Sequence, residues 1–335
     1  MNKFADFPEF NSLLEARGVE KASKYSLSNQ ILQGREAGMR TRGLEAKVLR
    51  LMNQANRDFN MITEGDRIMV ALSGGKDSYG LMWGLTQMRA RAPFRFDLVA
   101  FHLDQGQPGY DGSPMRRHME KLEAEFGIPW EIETQETYTR VVDITEAGKS
   151  YCSLCSRFRR AILYKAATRH GCNKVALGHH RDDLIETLML NLFFAGSIKA
   201  MPPRLLNDAG THEVMRPLAY VPESHMEELS IAHGFEIMPC TLCGSQESQR
   251  KEVKKLLAEL SVKNPHLKGN LLNALRNVQP SQLADSDLHP FYGEVNGPDD
   301  LKPMAEVDLH PQDADEAACA PASPSVHSSP LLSIL

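Results

Sequence analysis

Ser73-Gly74-Gly75-Lys76-Asp77-Ser78 follows the apolar run Ile68-Met69-Val70-Ala71-Leu72 and opens a helical pattern, so the local order is strand, glycine loop, helix. Paired glycines let a backbone approach a ligand closely, and the N–H groups at a helix start, helped by the helix dipole, point at an anion. Phosphate is the expected occupant. The segment lacks the four residues between glycines and the following Gly-Lys-Ser/Thr of a Walker A loop, so it is a phosphate loop of another kind. Asp77 beside phosphates either implies a cation such as Mg²⁺ or caps the helix that follows.

Outward from the loop, strand-like apolar segments recur at 68–72, 96–103, 130–132, 175–177 and 235–238, with helical patterns between most of them. Upstream, 43–59 reads as a helix, with Leu44, Val48, Leu51, Met52 and Ala55 at helical spacing, expected to pack on the first strand. The βαβ alternation predicts an α/β fold, an open, mostly parallel sheet with helices on both faces. Ligands in such sheets bind beyond the carboxyl ends of the strands, near a switch in strand order. Three strand ends carry suggestive chemistry: the glycine loop, Asp104, and His179-His180-Arg181-Asp182-Asp183. Asp104 also has the position to cap a turn at Gly106. Asp183 and Glu186 have capping-box spacing before the apolar helix 184–194, which assigns one of them a structural role and leaves Asp182 freer for chemistry.

A chain of 335 residues with 42% apolar content can bury one large core or two modest ones. The net charge of −5 is uneven: from 281 to 335 there are ten Asp/Glu and one Lys, −9, which leaves +4 for residues 1 to 280. That small excess is compatible with a polyanionic partner and equally with a solvated surface. No stretch approaches the roughly 18 apolar residues of a membrane span, and the N-terminus carries acidic residues where a secretory signal has an apolar core, so the expectation is cytoplasmic with no membrane partner. The expected organisation is a polar N-terminal extension at 1–42, one α/β domain at 43–292, and an acidic, disordered tail at 293–335 rich in Pro, Asp, Ala and Ser.

Four of the six cysteines form two CxxC pairs, Cys152-Ser153-Leu154-Cys155 and Cys240-Thr241-Leu242-Cys243, which suits metal or redox chemistry in a reducing compartment. A four-cysteine structural zinc site, an iron–sulfur cluster and a set of unliganded buried thiols all fit, and spacing does not separate them. Cys172 is expected to be buried, and Cys319 falls in the tail. Arg157, Arg159 and Arg160 follow the first pair; they suit either phosphate contact or a solvated helix face.

The loop 73–78 resembles the pyrophosphate loop of the N-type ATP pyrophosphatases, or PP-loop enzymes, which split ATP into AMP and pyrophosphate while adenylating a substrate. With Arg67-Ile68-Met69-Val70, Leu103-Asp104-Gln105, Cys152-Ser153-Leu154-Cys155-Ser156-Arg157, Gly178-His179-His180-Arg181-Asp182-Asp183, Pro217-Leu218-Ala219-Tyr220 and Pro239-Cys240-Thr241-Leu242-Cys243-Gly244-Ser245-Gln246, the chain is similar to the tRNA 2-thiocytidine synthetases from roughly residue 44 to 292. The resemblance implies ATP-dependent thiolation of C2 of cytidine 32 in tRNA through an adenylated intermediate. It assigns Ser73, Gly74, Gly75, Lys76 and Ser78 to the phosphates, beside which Asp77 implies Mg²⁺, Asp104 to the neighbourhood of the adenosine, and His179 and Asp182 to ATP and Mg²⁺. It places a [4Fe–4S] cluster on Cys152, Cys155 and Cys243, with Cys240 left without an assigned role. Lys76, Asp77, Asp182 and the three cluster cysteines are then the catalytic set, a cysteine desulfurase the sulfur source, and a homodimer the expected assembly. The rivals are a PP-loop enzyme that thiolates uridine or attaches lysine, and a tRNA-binding or sulfur-carrier module with structural zinc and no turnover.

Overall fold

The computed structural model describes residues 21–145, 151–238 and 249–284, without the side chains of 21–37, 152 and 153. Cys240, Cys243, Cys319 and the tail at 293–335 therefore lie outside the described residues. The chain divides into two compact units, Met1–Val48 and Leu49–Leu335. The first is described from Lys21 onward as the start of helix α1 (Lys21–Phe59), which begins well before the expected residue 43. The second holds everything that follows.

Six strands form one sheet in the order β3-β2-β1-β4-β6-β5. They are β1 (Arg67–Ala71), β2 (Asp97–Asp104), β3 (Trp130–Thr134), β4 (Lys174–Ala176), β5 (Arg204–Leu206) and β6 (Glu213–Met215). All pairings are parallel except β5 with β6. The chain runs outward from β1 to β2 and β3 and then crosses back to β4 on β1's other side, so the switch in strand order lies between β1 and β4. The open, mostly parallel sheet is as expected. One strand is not: 235–238 forms no strand, and its apolar residues cover the glycine loop instead, Met238 N donating to the Gly74 carbonyl at 2.9 Å and Phe235 lying 5.5 Å from the Tyr79 ring.

Among the described residues the α-helices of this unit are the end of α1, α2 (Lys76–Arg91), α3 (Ser113–Phe126), α4 (Thr137–Ile144), α5 (Cys152–Arg169), α6 (Arg181–Leu190), α7 (Glu223–His233), α8 (Gln249–Lys263) and α9 (Leu267–Ala274). Met69, Val99, Phe101 and Val175 of the three central strands bury against Ile162, Leu163, Ala166 and Ala167 of α5, with Cys172 in the same cluster. The alternate residues Ile68, Val70, Leu98 and Ala100 are equally buried and, by the two-residue period of a strand, face the opposite side, where α2 packs on β1 and β2. Met52 of α1 lies over Gly84 of α2. A second apolar cluster joins Ile185 and Leu190 of α6 to Val253 and Leu257 of α8, with Leu267, Leu271 and Leu272 of α9 against it. Among the described residues no helix is long and apolar enough to cross a membrane.

Candidate active site

The glycine loop leaves β1 at the carboxyl edge of the sheet, next to the switch point. Gly74 sits at φ +86°, a conformation L side chains rarely adopt, and a Cβ there would stand 2.9 Å from Met238 Cβ. Ser78 holds the turn from inside: its Oγ accepts from Ser73 N at 3.2 Å and donates to the Gly75 carbonyl at 2.9 Å. Gly75 is the N-cap of α2 and brings no side chain to cap it, so the N–H groups of the first turn open toward the loop. Asp77, the second residue of α2, is therefore not the cap. Gly178, two residues beyond β4, packs against the start of α2: a Cβ on it would lie 3.1 Å from both Asp77 C and Ser78 N.

Around this loop runs a network of opposed charges. Lys76 Nζ lies 3.2 Å from Asp77 Oδ2 and 3.3 Å from Glu223 Oε1. Burial alone would lower the Lys76 pKa, yet the two carboxylates hold it above the ordinary lysine value. Burial raises the Asp77 pKa against the pull of His180 and Lys76. Its Oδ1 is buried, has no hydrogen-bond partner among the described residues, and stands 3.8 Å from His180 Nε2. An orphaned carboxylate oxygen beside a phosphate loop is what a hard divalent cation coordinates, so Asp77 fits Mg²⁺.

The segment after β4 divides its labour differently from the capping pattern read in the sequence. His180, not Asp183, is the N-cap of α6: its Nδ1 accepts from Asp183 N at 3.3 Å while Asp183 Oδ2 accepts from His180 N at 2.9 Å. Glu186 is buried and pairs with Arg250 of α8 at 3.3 Å. Asp182, its side chain only 2% exposed, is ion-paired with Arg181 and with Lys268 of α9, and accepts from Glu223 N at 2.9 Å. It thus binds α6 to α7 and α9. His179 accepts at Nδ1 from Arg216 Nε at 3.3 Å, and burial together with Arg216 pushes its pKa down to about 4, so the ring is neutral.

At the end of β2, Asp104 caps the turn as one of its two readings anticipated, with Oδ1 accepting from Gly106 N at 2.9 Å. The next residue, Gln105, meets the cysteine helix: Cys155 Sγ donates to Gln105 Oε1 at 3.1 Å. Cys155 is buried in the first turn of α5, where the helix dipole favours an anionic ligand set, so this thiol fits a thiolate-bound metal group at the same sheet edge as the glycine loop. The last described residue before the second CxxC pair, Met238, touches Gly74. Just below, buried His102 donates from Nδ1 to the Leu72 carbonyl at 2.7 Å, which makes Nε2 the acceptor of the Tyr110 hydroxyl. Burial raises that tyrosine to about 12, keeping the donor protonated.

The structure thus brings the glycine loop, Asp77, His179, Asp104 and Cys155 to one edge of the sheet. It adds Glu223, Lys254, Lys268 and Arg216, which sequence reading passed over. Arg216 was visible as the residue ahead of the quoted Pro217-Leu218-Ala219-Tyr220; the lysines and Glu223 carry no local signal, because their meaning is in partners tens of residues away.

A family model for the PP-loop domain matches residues 42–238. A curated tRNA-cytidine(32) 2-sulfurtransferase from Anaeromyxobacter dehalogenans (strain 2CP-1 / ATCC BAA-258) is 46% identical over 284 residues, 84% of this chain and 94% of the relative. Another of the same name, from Anaeromyxobacter sp. (strain Fw109-5), is 52% identical over 247 residues, 73% of this chain and 80% of its own length. Among solved structures, the U34-tRNA thiolase NcsA from Methanococcus maripaludis with its [4Fe-4S] cluster superposes with a TM-score of 0.56 at 23% identity, covering 72% of this chain and 81% of that one, which supports the fold. A phosphate loop at the switch point, a cysteine helix at the same edge, and identity near one half along most of the chain place it in the tRNA-cytidine(32) 2-sulfurtransferase family of PP-loop proteins.

Proposed function

We propose that this protein thiolates C2 of cytidine 32 in tRNA, consuming ATP as AMP and pyrophosphate. The observation that carries the reading is the meeting of Cys155 with Gln105 at the strand edge that also bears the phosphate loop, in a chain about half identical to named 2-sulfurtransferases. Lys76 and the first-turn N–H groups of α2 hold the β- and γ-phosphates, where they stabilise charge that grows as pyrophosphate leaves. Asp77, through its unpartnered oxygen, is the residue that would hold Mg²⁺, which when bound supplies charge stabilisation on the phosphates. Cytidine O2 attacks the α-phosphorus, the bond from that phosphorus to the β-bridging oxygen breaks, and O2 becomes part of AMP. A sulfur nucleophile then attacks C2, the C–O bond breaks, and AMP departs.

Cys152, Cys155 and Cys243 are the residues that would hold a [4Fe–4S] cluster, which when bound supplies the sulfur-transfer chemistry. His179, kept neutral, and the buried Asp182 network position the rim of the nucleotide site, and Asp104 shapes the turn beside it. A cysteine desulfurase supplies the sulfur, the protein acts as a homodimer in the cytoplasm, and residues 43–292 form the catalytic domain.

The test is an anaerobically reconstituted reaction with ATP, Mg²⁺, a sulfur source and unmodified tRNA, read by nucleoside mass spectrometry. 2-Thiocytidine at position 32 with stoichiometric AMP is the expected product. A thiolated uridine, a lysine adduct, or colourless zinc protein without turnover would each replace this reading with one of its rivals.

A further inference from the structure

Arg216 follows the last residue of β6 and is 8% exposed. Of its five guanidinium N–H donors, those assigned are Nε to His179 Nδ1 at 3.3 Å and Nη1 to the Pro202 carbonyl at 2.6 Å. Nη2 makes no hydrogen bond among the described residues, and no carboxylate there lies within ion-pair distance of the group. The acid whose field it feels, Asp183, is already engaged as the reciprocal partner of the α6 cap. Arg160, half-buried on α5 one turn beyond Ser156, adds a second positive charge: after burial itself, it is a cause of the drop of the Arg216 pKa to about 10. Neither Arg160 nor Arg159 has an acidic partner among the described residues.

A buried cation without a counter-ion is costly, and a second cation beside it makes the arrangement worse unless an anion arrives. The position favours phosphate as that anion. Arg216 and His179 stand at the carboxyl ends of β6 and β4, and Gly178 of the same β4 end touches the backbone of the phosphate loop. We infer that Arg216 and Arg160 form a phosphate-binding site on the far side of β4 from the glycine loop, distinct from the cradle of the departing pyrophosphate. Planar guanidinium forks suit a phosphate oxygen pair. That phosphate is either a backbone phosphodiester of the RNA, which rests on the function proposed above, or the α-phosphate of the nucleotide.

The full-length protein carrying Arg160→Ala, Arg216→Lys or Arg216→Gln is compared with the parent for binding of pyrophosphate, AMP and an in vitro tRNA transcript over a range of salt. Affinity for pyrophosphate is expected to hold in all three. If the ligand is RNA, tRNA binding weakens about tenfold in Arg160→Ala and Arg216→Gln, and the slope of log K against log salt falls by about one per cation removed, with AMP unaffected. If it is the α-phosphate, AMP binding weakens about tenfold and tRNA binding does not. Arg216→Lys retains charge without the fork and should fall between. Should Arg216→Gln not fold, Arg160→Ala, at a half-exposed position, decides the matter. Unchanged affinity for both AMP and tRNA in folded Arg160→Ala overturns the site. These are binding measurements, so they stand whether or not the protein thiolates cytidine.

Discussion

The Glu223 carboxylate bridges two lysines: Oε1 lies 3.3 Å from Lys76 Nζ in the phosphate loop, and both oxygens lie within 2.8 Å of Lys254 Nζ on α8. Burial would raise the Glu223 pKa, but Lys254 and Lys76 hold it below the ordinary glutamate value, so it is an anion throughout the neutral range. An incoming polyphosphate must compete with Glu223 for Lys76. Replacing Glu223 with Gln removes that competitor, and an ion pair of about 1 kcal/mol corresponds to about fivefold tighter pyrophosphate binding. In a Lys76→Met background the same change should have no effect, and a retained fivefold gain in isothermal titration would mean that Glu223 acts elsewhere.

Lys76 itself is expected to act on the transition state, because charge accumulates on the leaving pyrophosphate. Lys76→Met should lower kcat/KM for tRNA-dependent AMP release by about 100-fold while leaving tRNA affinity within a factor of about two. A loss confined to tRNA binding would count against its place at the phosphates.

Asp182 links pH to stability. Burial would raise its pKa, yet Lys268, Arg181 and the Glu223 amide bring it down to about 2 from a reference of 3.8. A carboxyl whose folded pKa is depressed contributes stability that is complete above its unfolded pKa and disappears as pH falls through the folded one. Its contribution, about 2 kcal/mol by linkage, should therefore be lost between roughly pH 4 and pH 2. Urea unfolding of Asp182→Asn should show a shallower acid limb than the parent, and parallel limbs would show that the carboxylate is not the group responsible.

Much of this was written in the sequence, for identifiable reasons. β1, β2 and β4 announce themselves because strands buried in the middle of a sheet are nearly continuous apolar runs, β3 at the edge by its alternating Trp130 and Ile132, and the glycine loop because a phosphate turn needs residues without Cβ atoms. β5 and β6 have three residues each and are held by charge as well, Arg204 pairing with Glu213 at 2.6 Å across the ladder, so no hydrophobic period marks them. Residues 235–238 mimic a strand because covering the loop requires the same apolarity as entering a sheet. The α6 cap was misplaced by three residues because histidine is outside the usual capping set, although its Nδ1 accepts as a carboxylate oxygen would.

Gly178 tests how closely the loop is built. Its Cβ position, 3.1 Å from Asp77 C and Ser78 N, faces backbone that cannot rotate away, so Gly178→Ala must push β4 from the start of α2. We expect a loss of about 1–3 kcal/mol in stability and a pyrophosphate affinity at least tenfold weaker, measured on the folded fraction. Unaltered pyrophosphate binding would show that the loop tolerates displacement and that its geometry is less constrained than the contact implies.

The two CxxC pairs should prove unequal. If three cysteines hold the cluster, Cys155→Ser and Cys243→Ser each abolish both the brown iron–sulfur absorbance and thiolation, whereas Cys240→Ser keeps the colour and a substantial part of the activity. Cys155 has a further control, since Gln105 accepts its hydrogen bond at 3.1 Å: Gln105→Ala should leave iron content intact, because that contact orients the thiol without supplying a ligand. A closed four-cysteine zinc site makes the opposite prediction, with all four serine variants alike in losing metal, no absorbance in the parent, and zinc rather than iron and acid-labile sulfide on analysis. ATP binding at the glycine loop should survive every cysteine change, because among the described residues the turn is held by Ser73 and Ser78, with Lys76 beside it and no cysteine in contact. Thiolation lost together with nucleotide binding would place the cysteines in the fold of the loop itself.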